Sequence, residues 1–144
     1  MNLKTLRQGV AARAKTATAR SYAYMPDELV IPCAVVAPAA GDVTVSYPET
    51  INRGKAVVTL RVVLFASRAN DKAGQEQIDT WLSTGAGLTA TSVVEALHDT
   101  TISIGGGAET LVVVSAGDYG SWADSKGVEY YKADVVVRLT ASRV

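Results

Sequence analysis

The chain has few of the side chains on which disulfides, metal sites and nucleophilic catalysis depend. Its 144 residues include one cysteine, Cys33, and one histidine, His98. A lone cysteine cannot form an internal disulfide, and a zinc site would need carboxylates from several segments. Cys33 also lies in the apolar run 31–37, where cysteine usually behaves as a small buried hydrophobic residue. We therefore expect no metal and no cofactor, and we predict that the protein is not an enzyme.

The chain also lacks a net charge and a long apolar run. Its 14 basic and 14 acidic residues balance, so no overall field would draw the protein to nucleic acid or to an anionic membrane. No segment approaches the roughly 18 consecutive apolar residues of a membrane helix, and charged residues interrupt the N-terminus where a signal peptide would be apolar. We expect one domain over residues 1–144, kept in a reducing cytoplasm, with proteins as partners.

The clearest pattern in the chain is a strict alternation over residues 128–141. One set of alternate positions is apolar or aromatic: Tyr131, Ala133, Val135, Val137, Leu139 and Ala141. The other set is mostly polar: Tyr130, Lys132, Asp134, Val136, Arg138 and Thr140. Because strand side chains alternate with period 2, the pattern predicts an antiparallel strand with one face in a core and the other in water or in a contact.

A second strand is predicted over residues 56–66, where an all-aliphatic face alternates with a face that carries Arg61. We expect that second face to be covered by something that offers the guanidinium water or a carboxylate. Spacings of three and four predict a helix from Asn2 to about residue 16, in which Gly9 indicates either weakness or a close packing contact. A further helix begins at Asn70 or Asp71.

Shorter elements complete the prediction. Ser92 and Glu95 form a capping-box pattern that announces a short helix, and the prolines around residues 33–37 favour a short edge strand there. Strands are also predicted over 43–47 and 109–115, with turns over 49–55 and 117–127. This order predicts an α+β fold, a mostly antiparallel sheet of four to five strands with the helices packed on one face.

Sites for chemistry are hard to find in this sequence. His98 at a helix end is more often a capping polar residue than a catalyst, and the glycines at 105–107 have no following Gly-Lys-Ser/Thr to make a phosphate cradle. Asp118 and Asp124 could be imagined as a carboxylate pair, but such loops are usually turns. The aromatic residues nearby either form a protein contact surface or close the end of the core: Tyr119, Trp122, Tyr130 and Tyr131.

Several stretches together resemble the tail terminator and head-to-tail connector (neck) proteins of long-tailed bacteriophages, particularly those of actinobacterial hosts. The resemblance follows the chain in order through residues 3–11, 24–27, 31–36, 61–71 and 75–82, the helix after Ser92, residues 117–120, and residues 127–131 with the strand that they begin. It covers most of the chain. Each motif is short, and none carries a catalytic signature.

The resemblance implies a structural virion protein of the tail or neck, assembled in the host cytoplasm. A subunit of this family forms a ring, typically a hexamer, at the head-proximal end of the tail tube, where it stops tube polymerisation and provides the head-docking surface. Its partners would be other copies of itself, the major tail tube protein and a head-completion or connector protein, with no sequence-specific nucleic-acid contact and no membrane. Candidate subunit-interface residues are Arg61, Arg68, Tyr119, Trp122, Tyr130, Lys132, Asp134 and Arg138.

Two alternatives remain open at this point. Another neck component, such as a head-closure or tail-completion protein, would have a similar sequence pattern. From a different class, the chain could be a small ligand-binding or enzymatic α+β domain that uses residues 118–131 as a pocket, which would require a concave site with perturbed carboxylates or His98 in reach.

Overall fold

The computed structural model describes residues 1–39, 45–47, 54–68, 71–98 and 104–142. The helices and strands in these ranges follow one another in the order α1 (Leu3–Thr18), β1 (Ser21–Tyr22), β2 (Cys33–Pro38), β3 (Val45–Ser46), β4 (Lys55–Ser67), α2 (Asp71–Leu82), α3 (Val93–Leu97), β5 (Ala108–Ala123) and β6 (Glu129–Ser142).

The described strands form a single mixed sheet in the order β1-β2-β4-β6-β5, with β3 also paired to β4. Every pairing is antiparallel except that of β1 with β2. The predicted α+β class, with a mostly antiparallel sheet, is therefore confirmed. The described part of the sheet has six strands rather than four to five, because the two-residue β1 is too short to leave a pattern in the sequence.

The strand β6 lies between β4 and the edge strand β5, and its apolar face is buried as the alternation predicts. All six alternate positions from Tyr131 to Ala141 are at most 9% exposed. They pack with the aliphatic face of β4, which contains Val58, Leu60, Val62 and Leu64. Two strands with matched apolar faces thus form the floor of the main core.

The three described helices cover this same face of the sheet. Leu6 and Val10 of α1, Ile78 and Trp81 of α2, and Leu97 of α3 all join the main core. The predicted placement of the helices on one face is therefore confirmed. The opposite face of the sheet has only a smaller core of its own, at one end.

Local signals at the helix ends are borne out in part. Asn2 caps α1 by accepting a hydrogen bond from the Thr5 backbone N–H at 3.1 Å. Gly9 marks a close contact, since a Cβ there would lie 2.6 Å from the Cβ of Ile104. Ser92 accepts from the Glu95 N–H, but the Glu95 carboxylate accepts from the Gly85 N–H instead of closing the predicted capping box.

The region 117–127 was predicted to be a turn, and this is wrong. The strand β5 continues to Ala123, and the turn occupies only residues 124–128. Three register shifts interrupt β5, between Ala108 and Thr110, between Val113 and Ser115, and between Gly117 and Gly120. Asp118, inside the last of them, has a left-handed φ of 51°. Bulges use the same glycine and aspartate residues as turns do, which is why the sequence pattern misleads.

The other short strands need smaller corrections. Cys33–Pro38 is not an edge strand over its whole length, because Ser21 and Tyr22 pair with its first half. Of the strand predicted over 43–47, only residues 45–47 are described, and Val45–Ser46 pairs with β4. The turn predicted over 49–55 lies mostly outside the described residues, and its last position, Lys55, already belongs to β4.

Candidate functional site

Three of the predicted interface residues form one charged group, here called the ion cluster: Arg61 of β4 with Lys132 and Asp134 of β6. Arg61 Nη1 lies 3.3 Å from Asp134 Oδ2, and Lys132 Nζ lies 3.6 Å from Asp134 Oδ1. Arg61 Nε also donates to the Pro38 carbonyl at 3.0 Å. Arg61 was expected to meet water or a carboxylate from whatever covers its face. A carboxylate is present, but it comes from the neighbouring strand β6 on the same face and not from a covering segment.

The carboxylate of this cluster is buried, whereas its two cations reach the surface. Asp134 is 5% exposed, while the side chains of Arg61 and Lys132 are 29% and 23% exposed. Asp134 Oδ1 accepts no hydrogen bond from any described residue. A buried carboxylate is costly unless it is paired, so Arg61 and Lys132 compensate the charge of Asp134 while their outer surfaces stay accessible.

Next to the ion cluster lies an aromatic cluster, formed by Phe65, Trp122 and Tyr130. The rings of Trp122 and Tyr130 stack at 5.7 Å, and Phe65 lies 5.4 Å from Trp122 at a tilted angle. These rings pack with Cys33 and Val35 into the smaller core on the face opposite the helices. Tyr130 is buried there and Trp122 is half-buried, so these two residues close the end of a core.

The turn between β5 and β6 is hydrogen-bonded to the aromatic cluster through Asp124. Asp124 Oδ1 accepts from the backbone N–H groups of Lys126 and Val128 at 2.8 and 2.9 Å, and Asp124 Oδ2 accepts from the Tyr130 hydroxyl at 3.2 Å. These hydrogen bonds, with that from Val128 first, lower the pKa of Asp124 below its usual value. Asp124 is therefore a turn residue and forms no pair with Asp118, which lines a different cleft.

The remaining predicted residues lie apart from these clusters. Tyr119 donates to the Gln75 carbonyl of α2 at 2.9 Å; partial burial and then the nearby Asp79 carboxylate raise the pKa of Tyr119 to about 12. Arg68 pairs with Glu129 at 2.6 Å and lies over the Tyr131 ring. The structure thus brings together five of the eight predicted residues and leaves Arg68, Tyr119 and Arg138 elsewhere.

Arg138 occupies the half of the sheet face that no described segment covers. Its neighbours across the strands are Thr59 and Val112. Arg138 itself is exposed, and Thr59 and Val112 are half-buried. Within the described ranges Arg138 has no ion-pair partner. An unpaired guanidinium at the centre of an open, partly apolar sheet face is available to a carboxylate or a carbonyl of another molecule.

Sequence analysis missed one residue that shapes this region, Arg7 of α1. Its Nε donates to the Ala23 carbonyl at 2.9 Å and its Nη2 to the Val36 carbonyl at 2.8 Å. Its guanidinium also lies 4.1 Å from the centre of the Tyr24 ring. In the sequence Arg7 counts only as one polar position of an amphipathic helix. No local signal indicates contacts with residues 16 and 29 positions away.

The two residues that nucleophilic chemistry would need are both used structurally. Cys33 is fully buried, and that burial raises the pKa of its thiol to about 11 against an opposing effect of Arg20. His98 ends α3, and its Nδ1 accepts from the Val113 N–H of β5 at 3.2 Å. Among the described residues, no three histidine, cysteine, aspartate or glutamate side chains are grouped so that they could hold a metal ion.

None of the described helices has the length and apolar character needed to cross a membrane. Neither the models of known protein families nor the curated proteins include a match to this chain.

Proposed function

We propose that this protein is a tail terminator, a structural subunit that forms a ring at the head-proximal end of a phage tail tube. The observation that carries the proposal is the open half of the sheet face around Arg138. The resemblance to neck proteins along most of the chain supplies the family. The proposal adds that this open face is one of the two surfaces through which neighbouring subunits meet.

The composition of the open face supports a protein contact. Three half-buried valines, Val57, Val112 and Val136, alternate with threonines around Arg138. Protein interfaces of the non-obligate kind have this mixture of apolar side chains with arginine and few other charges. A sheet face that is half-buried in the monomer loses little conformational entropy when a neighbour covers it.

A ring requires a second, different surface on each subunit, because a head-to-tail contact buries different patches on the two partners. The outer edge of β5 supports this requirement. β5 lies at the end of the strand order, and residues 114–119 are all exposed, including Val114 and Tyr119 at 47% and 40%. A long strand edge is normally protected or paired, and the register shifts of β5 protect this edge only in part.

Another neck component is the second candidate, since a head-closure or tail-completion protein would use the same kinds of surface. The Asp118–Tyr131 region offers less support for a ligand-binding or enzymatic domain. Its carboxylates line separate clefts, and Asp124 already accepts three hydrogen bonds. The terminator proposal therefore stands first.

The test is to polymerise the purified major tail tube protein with and without this chain and to measure tube lengths by electron microscopy. We expect shorter tubes, each with a ring at one end. About tenfold more of the Arg138→Glu variant should be needed for the same shortening. The glutamate would face either a carboxylate of the neighbouring subunit, which repels it, or a surface that leaves its charge unpaired. Lys72→Glu is the matched control, since Lys72 is 86% exposed on α2.

Two results would contradict the proposal. If tubes keep their length and carry no ring at any ratio of the two proteins, the chain is not a terminator. If instead the chain attaches to isolated head connectors and not to tubes, it is a head-closure or tail-completion protein, the second candidate.

A further inference from the structure

A cleft of about 280 Å³ opens beside the aromatic cluster, on the sheet face opposite the helices. Its floor consists of apolar side chains of β2 and β4, Val35, Val63 and Phe65. Trp122, which is half-buried, and Met25, which is 57% exposed, form part of its walls. The cleft therefore offers apolar and aromatic contact to a group that enters from solvent.

Three cations line the same cleft: Arg7, Arg61 and Lys132. Arg61 and Lys132 share the single carboxylate of Asp134. Arg7 binds two carbonyls and one aromatic ring and has no carboxylate partner in the described part of the chain. Counting three positive charges and one negative charge, the cleft keeps a net charge of about +2, so it attracts an anion.

The size of the cleft indicates what that anion is attached to. Pockets for drug-sized molecules and cofactors have volumes of about 300–1,000 Å³. A cleft at the lower limit of that range fits one large apolar side chain with an adjacent carboxylate. Such anchors, set in an extended segment, are how proteins commonly bind peptide stretches of their partners.

We propose that this cleft, here called the basic cleft, binds an extended segment of a partner protein that presents an apolar side chain next to one or two carboxylates. The apolar side chain lies against Phe65 and Trp122, and the carboxylate lies among Arg7, Arg61 and Lys132. The inference rests on the proposed function only for the identity of the partner, which in a neck would be the adjacent virion protein. Charge complementarity and cleft size select the segment itself.

The arrangement of Arg7 supports a binding role. Its two hydrogen bonds fix the guanidinium beside the end of β2, so little side-chain entropy is lost when a carboxylate arrives. Guanidinium groups also have five donors, and the hydrogen bonds described for Arg7 use two of them. The remaining donors are free to receive a carboxylate.

The test is a titration of the full chain with three synthetic peptides, followed by nuclear magnetic resonance of the backbone amides and the Trp122 indole. The probes are acetyl-Ser-Glu-Phe-Glu-Ser-amide, the same peptide with lysines in place of the glutamates, and the same peptide with serine in place of phenylalanine. We expect the first to bind at least about tenfold more tightly than either of the others. On binding of the first peptide, the protein signals that shift should be those of the residues that line the basic cleft.

Lys132→Gln should weaken binding of the acidic peptide several-fold, whereas Lys72→Gln on the helix face should leave it unchanged. Because Lys132→Gln also affects Asp134, a second measurement keeps the test decisive. On the unchanged chain, raising the salt from about 50 to about 300 mM should weaken binding of the acidic peptide and should not weaken binding of the lysine peptide. Equal binding of the acidic and basic peptides, or shifts outside the cleft, would overturn the proposal.

Two further outcomes assign the cleft to another occupant and also overturn the proposal. If phenylacetate alone binds as tightly as the acidic peptide, the cleft is a small-molecule site. If the purified chain is oligomeric and the acidic peptide dissociates it, the occupant is a second copy of this chain. None of these measurements needs tail tubes. The proposal for the basic cleft can therefore be overturned while the terminator proposal stands, and the terminator proposal can be overturned while that for the cleft stands.

Discussion

The guanidinium of Arg61 reaches diagonally across the β4–β6 ladder to the carboxylate of Asp134, with Nη1 and Oδ2 3.3 Å apart. The residue directly opposite Asp134 is Val63, and the residue opposite Arg61 is Val136. The diagonal geometry lets the arginine cover the buried carboxylate while its own side chain stays partly exposed. The ion pair therefore connects a buried carboxylate to a guanidinium that reaches solvent.

We predict that Arg61→Leu lowers the free energy of unfolding by about 2–4 kcal/mol. The substitution leaves Asp134 buried beside Lys132 alone, and removing one partner of a buried pair is strongly destabilising; partial exposure of Arg61 places the loss toward the lower end. Urea unfolding measures the change. The double variant Arg61→Leu with Asp134→Leu should recover much of the loss, and strictly additive effects of the two substitutions would show that the pair is not coupled.

This ion cluster also changes the design of interface variants. Reversing the charge of Lys132 would place a second carboxylate beside Asp134 and would weaken the fold itself. Arg138 has no ion-pair partner in the described ranges, so it can be reversed without that effect. For this reason the tube-length test uses Arg138→Glu alone.

Much of the fold can be predicted from the sequence, because the alternation in β4 and β6 shows which face of each strand is apolar. The alternation through Leu139 and the aliphatic face of β4 determine which side of the sheet the helices cover. What the sequence does not state depends on long-range contacts. The last seven residues of β5, 117–123, have the sequence pattern of a turn because bulges and turns share residue types. The Arg7 contacts join segments far apart in the chain.

The candidate site was predictable only in part, for the same reason. Water or a carboxylate near Arg61 could be expected, since a guanidinium on a mostly apolar strand face needs a polar partner. Alternation also places Lys132 and Asp134 on one face. The sequence could not show that Tyr130 on that same face would be buried. Residues 22–32, which pack against it, contain two prolines and have no periodic pattern.

Substitutions on the two faces of β6 should have very different effects. We predict that Leu139→Ala lowers the free energy of unfolding by about 2–5 kcal/mol, because Leu139 is fully buried in the main core and the substitution leaves a cavity. Its neighbour Arg138 is exposed, and Arg138→Ala should change the free energy of unfolding by no more than about 0.5 kcal/mol. Comparable losses from both substitutions, measured by urea unfolding, would mean that the face around Arg138 is already covered in the monomer.

Gly9 provides a test of the packing between α1 and residue 104. In an isolated helix, Gly→Ala would stabilise by about 1 kcal/mol. Here the added Cβ would lie 2.6 Å from both the Cβ and the carbonyl oxygen of Ile104. We therefore predict that Gly9→Ala lowers the melting temperature, whereas Gln8→Ala at an exposed neighbouring position leaves it unchanged or slightly raised. A higher melting temperature for Gly9→Ala would show that this contact is looser than described.

The buried thiol predicts a specific dependence of stability on alkaline pH. Burial raises the pKa of Cys33 from 9.0 to about 11 in the folded protein, so the folded state holds the thiol proton to higher pH than the unfolded chain does. The stabilisation is fully present below pH 9 and is lost as the pH rises toward 11. Between those values the free energy of unfolding should fall by about 1.4 kcal/mol per pH unit on account of this thiol.

Comparison of the natural chain with Cys33→Ala isolates that contribution, because the substitution removes this thiol and no other titratable side chain. The variant starts less stable at pH 8, since it loses a buried sulfur atom, but the difference between the two proteins should narrow steadily up to pH 11. At pH 8 the native thiol should also react with a disulfide reagent far more slowly than the same thiol in urea. A constant difference across this pH range would contradict the assigned burial of Cys33.

The turn after β5 predicts the opposite dependence in acid. Hydrogen bonds from Val128 and Lys126 and from the Tyr130 hydroxyl lower the pKa of Asp124 below 3.8, so the folded state releases this proton more readily than the unfolded chain does. The stabilisation is present above pH 3.8 and is lost as the pH falls through the lowered value. Asp124→Asn should remove this part of the acid dependence, while Ser125→Ala in the same turn should keep it. Unfolding curves of the three proteins between about pH 2 and pH 6 measure the difference. Parallel curves for Asp124→Asn and the natural chain would show that the turn does not depend on the ionised carboxylate.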